Sequence, residues 1–225
     1  DVNSTANWIN FSWGELIPFG EELVSNPVSG SHFIEQTTAT RGFNMTGLVL
    51  LMHFNNKSGD ESYSSTNGSV IDYSGNSNTG NATGGIVSTY RQNSGKFNGA
   101  FEFDGIDDYI NILDNNSLDI TSTFSFVGWV KVLESSSVNG DVISGKHNSS
   151  DDTGYVFFYY QNKINVQFGD GGGGWPYSGL IQSTTDLIQD KWYHIVVTRS
   201  GTQTSIYFNG VLDASPSVGG NNIAT

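Results

Sequence analysis

The 225-residue chain contains no cysteine. That absence excludes thiolate metal sites, thiol nucleophiles and disulfide cross-links. Charge is scarce as well, at 14% of residues, and one-sided: 9 Lys+Arg stand against 22 Asp+Glu, for a net charge of −13. So negative a chain is repelled by phosphate backbones and acidic lipid surfaces, which argues against nucleic acid as a partner and in favour of cations. Long apolar runs are missing too. The longest, Leu48 to Phe54, is strand-sized, far short of the roughly 18 residues of a membrane span, so direct membrane insertion is not expected. The chain opens on Asp1 with no signal peptide, which reads as a processed or excised piece of something longer.

What is present is Asn, Ser, Thr and Gly, which carry most of the solubility. Asn-x-Ser/Thr occurs eight times, at Asn3, Asn10, Asn44, Asn56, Asn67, Asn81, Asn115 and Asn148. Composition alone accounts for about five such sequons, so the excess is mild, but the style is that of a secreted, glycosylated surface protein. The expected location is extracellular, at a cell surface.

Helical periodicity is nearly absent. Period-two alternation and short apolar runs recur, punctuated by Gly, Asn and Ser. Strands are expected near 48–54, 70–73, 100–103, 109–112, 123–132, 142–144, 155–160, 163–168, 192–199, 205–208 and 211–212. Asn209-Gly210 has the chemistry of a tight hairpin whose two central residues take positive φ. Many strands on short loops predict an all-β fold, an antiparallel two-sheet sandwich. Residues 1–46 read as an N-terminal strand, centred on Trp8, Phe11 and Trp13, followed by a connector. Residues 47–225 read as the domain.

Three segments carry a family likeness: Leu48-Val-Leu-Leu-Met-His-Phe-Asn55, Asp72-Tyr-Ser-Gly-Asn-Ser-Asn-Thr-Gly80 and Ala100-Phe-Glu-Phe-Asp-Gly-Ile-Asp-Asp-Tyr-Ile110. With Phe124–Val130, Trp192–Val197 and Ile206–Asp213 they resemble the laminin-G-like, concanavalin A-like jelly-roll domains of bacterial and archaeal surface proteins, over about residues 47–215. The resemblance implies the jelly-roll topology. It implies little about function, because that fold serves lectins, adhesins and enzyme appendages. Such domains usually close with two further strands after the Asn-Gly hairpin, which this sequence does not supply. The expectation is that the gap is filled by the Trp8–Trp13 strand, by that strand from a neighbouring copy, or by sequence beyond residue 225. Donation by a neighbour would build a filament, sheath or surface layer.

No catalytic residue is expected. Glu102-Phe-Asp104-Gly-Ile-Asp107 resembles the Glu-x-Asp-x-x-Glu strand of laminarinase-like hydrolases, but Asp104–Asp108 reads as a turn, in which the side chains bond nearby backbone N–H groups. Calcium is a candidate structural cofactor, since it accepts loop carboxylates, amides and carbonyls. Asp72 and Asn76 are the first site considered. Asp151 and Asp152 are the second, in a loop resembling the calcium loop of pentraxin-like relatives. For a glycan, Asp170, Trp175 and Tyr177 flank the glycines 171–174, where stacking faces and close backbone approach are available. Tyr159 and Tyr160 point to opposite faces, so at most one joins such a site. The expected function is a non-catalytic, lectin-like module for adhesion or carbohydrate binding. The alternative is a strand-exchanged structural subunit. The partners are accordingly glycans or neighbouring copies.

Overall fold

Short apolar runs broken by Gly, Asn and Ser can build many strands and no long helix, and the chain does so. The structure, a computed structural model, describes residues 46–54, 61–63, 68–84, 95–96, 100–134, 140–148, 150–169, 171, 180–215 and 223–224. All of them belong to the unit Asn44–Thr225, which is separate from Asp1–Phe43. Trp8, Phe11, Trp13, Asp170, Trp175, Tyr177 and the sequons at Asn3, Asn10, Asn44, Asn56 and Asn67 lie outside the described residues.

The described strands are β1 (Glu61–Tyr63), β2 (Gly68–Val70), β3 (Gly80–Thr83), β4 (Tyr109–Ile112), β5 (Thr123–Lys131), β6 (Asp141–Asn148), β7 (Thr153–Tyr160), β8 (Lys163–Phe168), β9 (Ile181–Gln182), β10 (Trp192–Ser200), β11 (Gln203–Phe208) and β12 (Val211–Ala214). They form three antiparallel sheets, ordered β1-β2-β3-β4, β12-β11-β10-β5 and β6-β7-β8-β9. A 3-10 turn at Asn116–Leu118, capped by the Asn115 side chain accepting from Ser117 N at 2.9 Å, is the only helical element among the described residues.

The second and third sheets face each other across the main core. Along β10, Tyr193, Ile195 and Val197 turn inward; along β8, Ile164, Val166 and Phe168 do the same. This is period-two alternation carried into packing. Phe126 and Phe157 stack across the gap with ring centroids 4.5 Å apart, and Phe124 meets Phe168 edge-on at 5.7 Å. Each fully buried apolar side chain stabilises by about 1.5–3 kcal/mol. The first sheet covers a smaller cluster of Val70, Ala82, Met52, Phe101 and Ile110.

Turn chemistry follows the sequence at the hairpins. Asn209 and Gly210 have φ of 52° and 82°, as the twist of an antiparallel pair requires. Gln161 and Asn162 do the same between β7 and β8, with φ of 51° and 61°.

Two of the expected strands are absent: residues 48–54 and 101–103 form no strand ladder. The loop after β2 holds the first of these segments instead: Tyr73 N donates to Leu51 O at 2.9 Å, and the Asn76 side-chain amide donates to Leu48 O at 2.9 Å. A backbone N–H and side chains of a neighbouring loop thus take the place of a strand partner. Near the C-terminus, Ile223 joins the core at 2% exposure.

Candidate functional site

The two faces of the third sheet differ in chemistry. Alternation sends Tyr155, Phe157 and Tyr159 inward, and leaves Val156, Phe158 and Tyr160 on the outer face. Register places Gln167 opposite Val156, Asn165 opposite Phe158 and Lys163 opposite Tyr160, with Gln182 beyond Asn165. The outer face therefore combines two aromatic rings, both half-buried, with three carboxamides. Asn165 is fully buried and Gln167 is 1% exposed. The Asn165 amide donates to Tyr160 O and Lys163 O at 3.1 and 3.0 Å, and its Oδ1 accepts from Gln182 Nε2 at 3.1 Å. Neither Oε1 nor Nε2 of Gln167 has a hydrogen-bond partner. Lys163 is spent at the far end of the face, where its Nζ donates to Thr184 O at 2.6 Å and pairs with Asp186 at 2.7 Å.

The other end of this face is a rim of close backbone contacts. Gly169 N donates to Gly154 O, Gly171 N to Asp152 O, Gly154 N to Ala224 O and Ala224 N to Gly169 O, all within 2.7–3.0 Å. Gly154 sits at φ +91°, where a Cβ would lie 1.8 Å from Lys146 O, so only glycine lets the β6–β7 hairpin close this tightly. His147 and Asp152 meet in this rim at 3.6 Å, both nearly buried. Asp151 is exposed and accepts from Thr153 Oγ1 at 3.3 Å within its own turn. The two adjacent carboxylates are thus engaged in different directions. The fold places this loop beside the start of the glycine run, a juxtaposition that sequence spacing does not show.

Asp72 is 8% exposed, and its carboxylate is surrounded by donors of the chain itself. Leu51 N and Ser74 N lie 3.0 and 2.8 Å from Oδ1; Ser74 Oγ and Asn78 N lie 2.7 and 2.9 Å from Oδ2. Burial pushes the carboxyl up, but the hydrogen bonds from Ser74, Leu51 and Asn78 together outweigh it and hold it below the usual carboxylate range. A cation at Asp72 would have to displace these donors. Asn76 contributes its amide, not an oxygen, to Leu48 O.

Asp104–Asp108 is the expected turn. Asp104 Oδ1 accepts from Ile106 N at 2.8 Å and Asp107 N at 3.3 Å, and Asp108 Oδ2 accepts from Asp104 N at 3.0 Å. The hydrogen bond from Ile106 leads in holding Asp104 below its ordinary range. Burial, then the charges of Asp104 and Asp107, push Asp108 up. Among the described residues this is the one meeting place of three carboxylate or imidazole groups. Because residues 101–108 carry no ladder, Glu102 and Asp104 do not line a strand face. The carboxylates that meet here are those of a turn, tied to backbone N–H groups, not a pair borne on one strand face.

Sequence pattern alone does not single out Phe158, Asn165, Gln167 and Gln182. The available signal was the alternation in Lys163-Ile-Asn-Val-Gln-Phe168, where two carboxamides interrupt a buried strand.

Residues 104–225 match the model of the concanavalin A-like lectin/glucanases superfamily. The match spans more than half of the chain, and the chain belongs to that family. No curated protein matches it. Among solved structures, an S-layer domain-containing protein from Clostridium thermocellum (its residues 221–444) is 21% identical with a TM-score of 0.42, covering 78% of this chain and 73% of that one. A carbohydrate-binding module from Bacillus subtilis is 14% identical with a TM-score of 0.37, covering 60% of this chain and 78% of that one. Neither likeness is close enough to bear on function. No helix among the described residues is long and apolar enough to cross a membrane.

Proposed function

We propose that this chain is a non-catalytic carbohydrate-binding module of an extracellular surface protein. The observation that supports it most is the outer face of the third sheet, where Phe158 and Tyr160 stand among Asn165, Gln167 and Gln182 in a family of lectins and glucanases. Aromatic rings stack on the apolar faces of sugars, and carboxamides read hydroxyls. The turn at Asp104–Asp108 removes the strand-borne carboxylates a glucanase would need. Glycan-array screening followed by calorimetry on the purified chain tests the reading. Binding without hydrolysis is expected, and Tyr160→Ala weakens it. Absence of binding to every glycan, or release of reducing ends, refutes it.

A second reading, assembly by strand exchange through Trp8, Phe11 and Trp13, draws on the outer strand of the second sheet. Val211 and Leu212 on β12 are 70% and 54% exposed, an apolar edge of the kind that invites strand addition. Light scattering decides it: polymers that persist after removal of residues 1–14 exclude this route.

A further inference from the structure

The two buried carboxamides on the outer face of the third sheet are used differently. Asn165 is committed to the fold, since its amide fastens the β7–β8 turn and its oxygen receives Gln182. Gln167 is equally buried, at 1% exposure, yet neither its oxygen nor its nitrogen has a partner. Buried polar atoms are nearly always paired, because leaving them unpaired carries the full cost of their lost hydration. A leucine or methionine at this position would avoid that cost. We propose that Gln167 is the ligand-reading group of this face and that it selects a neutral, polyhydroxylated ligand, a segment of uncharged glycan. The inference rests on the carbohydrate-binding reading above and adds to it the recognition group and the ligand's charge class.

The chemistry of the face sets that class. A carboxamide offers a donor and an acceptor side by side, and two adjacent sugar hydroxyls, each able to donate and accept, satisfy both. A carboxylate or phosphate could use only the N–H and would set its charge against the carbonyl oxygen. Val156, directly opposite Gln167, is apolar, and Phe158, Asn165 and Gln182 are uncharged. The face's lysine, Lys163, is already held by Asp186 and the Thr184 carbonyl. No free cation among the described groups of this face is therefore available to an anionic glycan. Phe158, Tyr160 and Gln182 are only half-buried and form the open part of the face; a ligand lying against them reaches the buried Gln167 by displacing what covers it.

The test is a Gln167→Met variant, which keeps the length and volume of the side chain and removes both polar atoms. Maltohexaose, cellohexaose, laminarihexaose and xylohexaose serve as neutral probes in calorimetry, with polygalacturonate as the anionic one. The intact chain is expected to bind at least one neutral hexasaccharide and not polygalacturonate. Gln167→Met is expected to lose about tenfold or more in affinity, because a polar subsite has been removed, while its Tm holds or rises. The Gln167 side-chain amide resonances are expected to shift on titration with the bound sugar. Unchanged affinity in Gln167→Met overturns this inference and leaves the carbohydrate-binding reading standing. Absence of binding to any of these sugars by the intact chain overturns the inference, and array-wide absence overturns both. A preference for polygalacturonate overturns it, as does a fall in the Tm of Gln167→Met, which assigns the carboxamide to the fold.

Discussion

Asp72→Asn isolates the device that replaces a strand partner for residues 48–54. The carboxylate receives four donors at 2.7–3.0 Å from Leu51, Ser74 and Asn78. Hydrogen bonds to a charged acceptor contribute about 1.5–3 kcal/mol each, neutral ones about 0.5–1.5. In the asparagine variant, Oδ1 keeps Leu51 N and Ser74 N as neutral bonds, a loss of about 1 kcal/mol each. The new amide faces Asn78 N–H donor to donor and leaves it unpaired, at a further cost of about 1–3 kcal/mol. The Ser74 hydroxyl can accept from that amide and donate to Val49 O, 3.0 Å away, which recovers part. The balance is a loss of about 2–4 kcal/mol, or roughly 5–15 °C in Tm for a domain of this size. The sign with pH is fixed, because the folded pKa of Asp72 is depressed. Its contribution is complete above the ordinary aspartate value of about 3.9 and is lost as pH falls through the folded value. Urea denaturation followed by tryptophan fluorescence at pH 7 and across pH 5–2.5 measures both quantities, and hydrogen exchange at Leu51 N reports the local tie. The wild type should lose stability below about pH 4 more steeply than the variant, and the two should converge. A difference under about 0.5 kcal/mol at pH 7, or parallel pH curves, would refute this account.

Three other outcomes are expected. Asp213 on β12 accepts from Thr184 N, Thr184 Oγ1 and Thr185 N at 2.6–3.1 Å; burial pushes its carboxyl up, but the bonds from Thr185 and Thr184 outweigh it and hold it low. Asp213→Ala should therefore cost about 1–2 kcal/mol, discounted for partial exposure, in denaturant titrations at pH 7. Gly154→Ala combines positive φ with a Cβ driven into Lys146 O and should cost about 3 kcal/mol or more, whereas Gly210→Ala, with open space around its Cβ, should cost only about 1 kcal/mol for its φ of 82°; equal effects in thermal melts would contradict the packing at the rim. In a glycosylating host, Asn81 and Asn148, both exposed, should carry glycan by intact-mass measurement, while Asn115, half-buried at the start of the 3-10 turn, should not; a mass loss in Asn115→Gln would overturn that ranking.

The sequence by itself determined the class of fold. Alternation in Trp192–Arg199 and Phe124–Lys131 marked one face for the core, and Asn209-Gly210 marked its hairpin, because side-chain period and turn chemistry are local properties. The absence of cysteine and of long apolar runs, and the acidic balance, were equally legible. The turn at Asp104–Asp108 was readable because its hydrogen bonds span at most four residues. Only the tertiary structure decided which polar groups are spent. Asp72 stands 21 residues from Leu51, and Asn78 39 residues from Ser117, with which its amide bonds at 2.8 Å. The same holds for Asn165 and Gln167: two carboxamides two residues apart on one strand are indistinguishable by type and spacing, and their difference arises from Gln182 and the β7–β8 turn, which satisfy one and leave the other unpaired. Hydrogen-bond partners brought from distant chain positions leave no periodic trace, so the face that could read a ligand became visible only when the strands were set side by side.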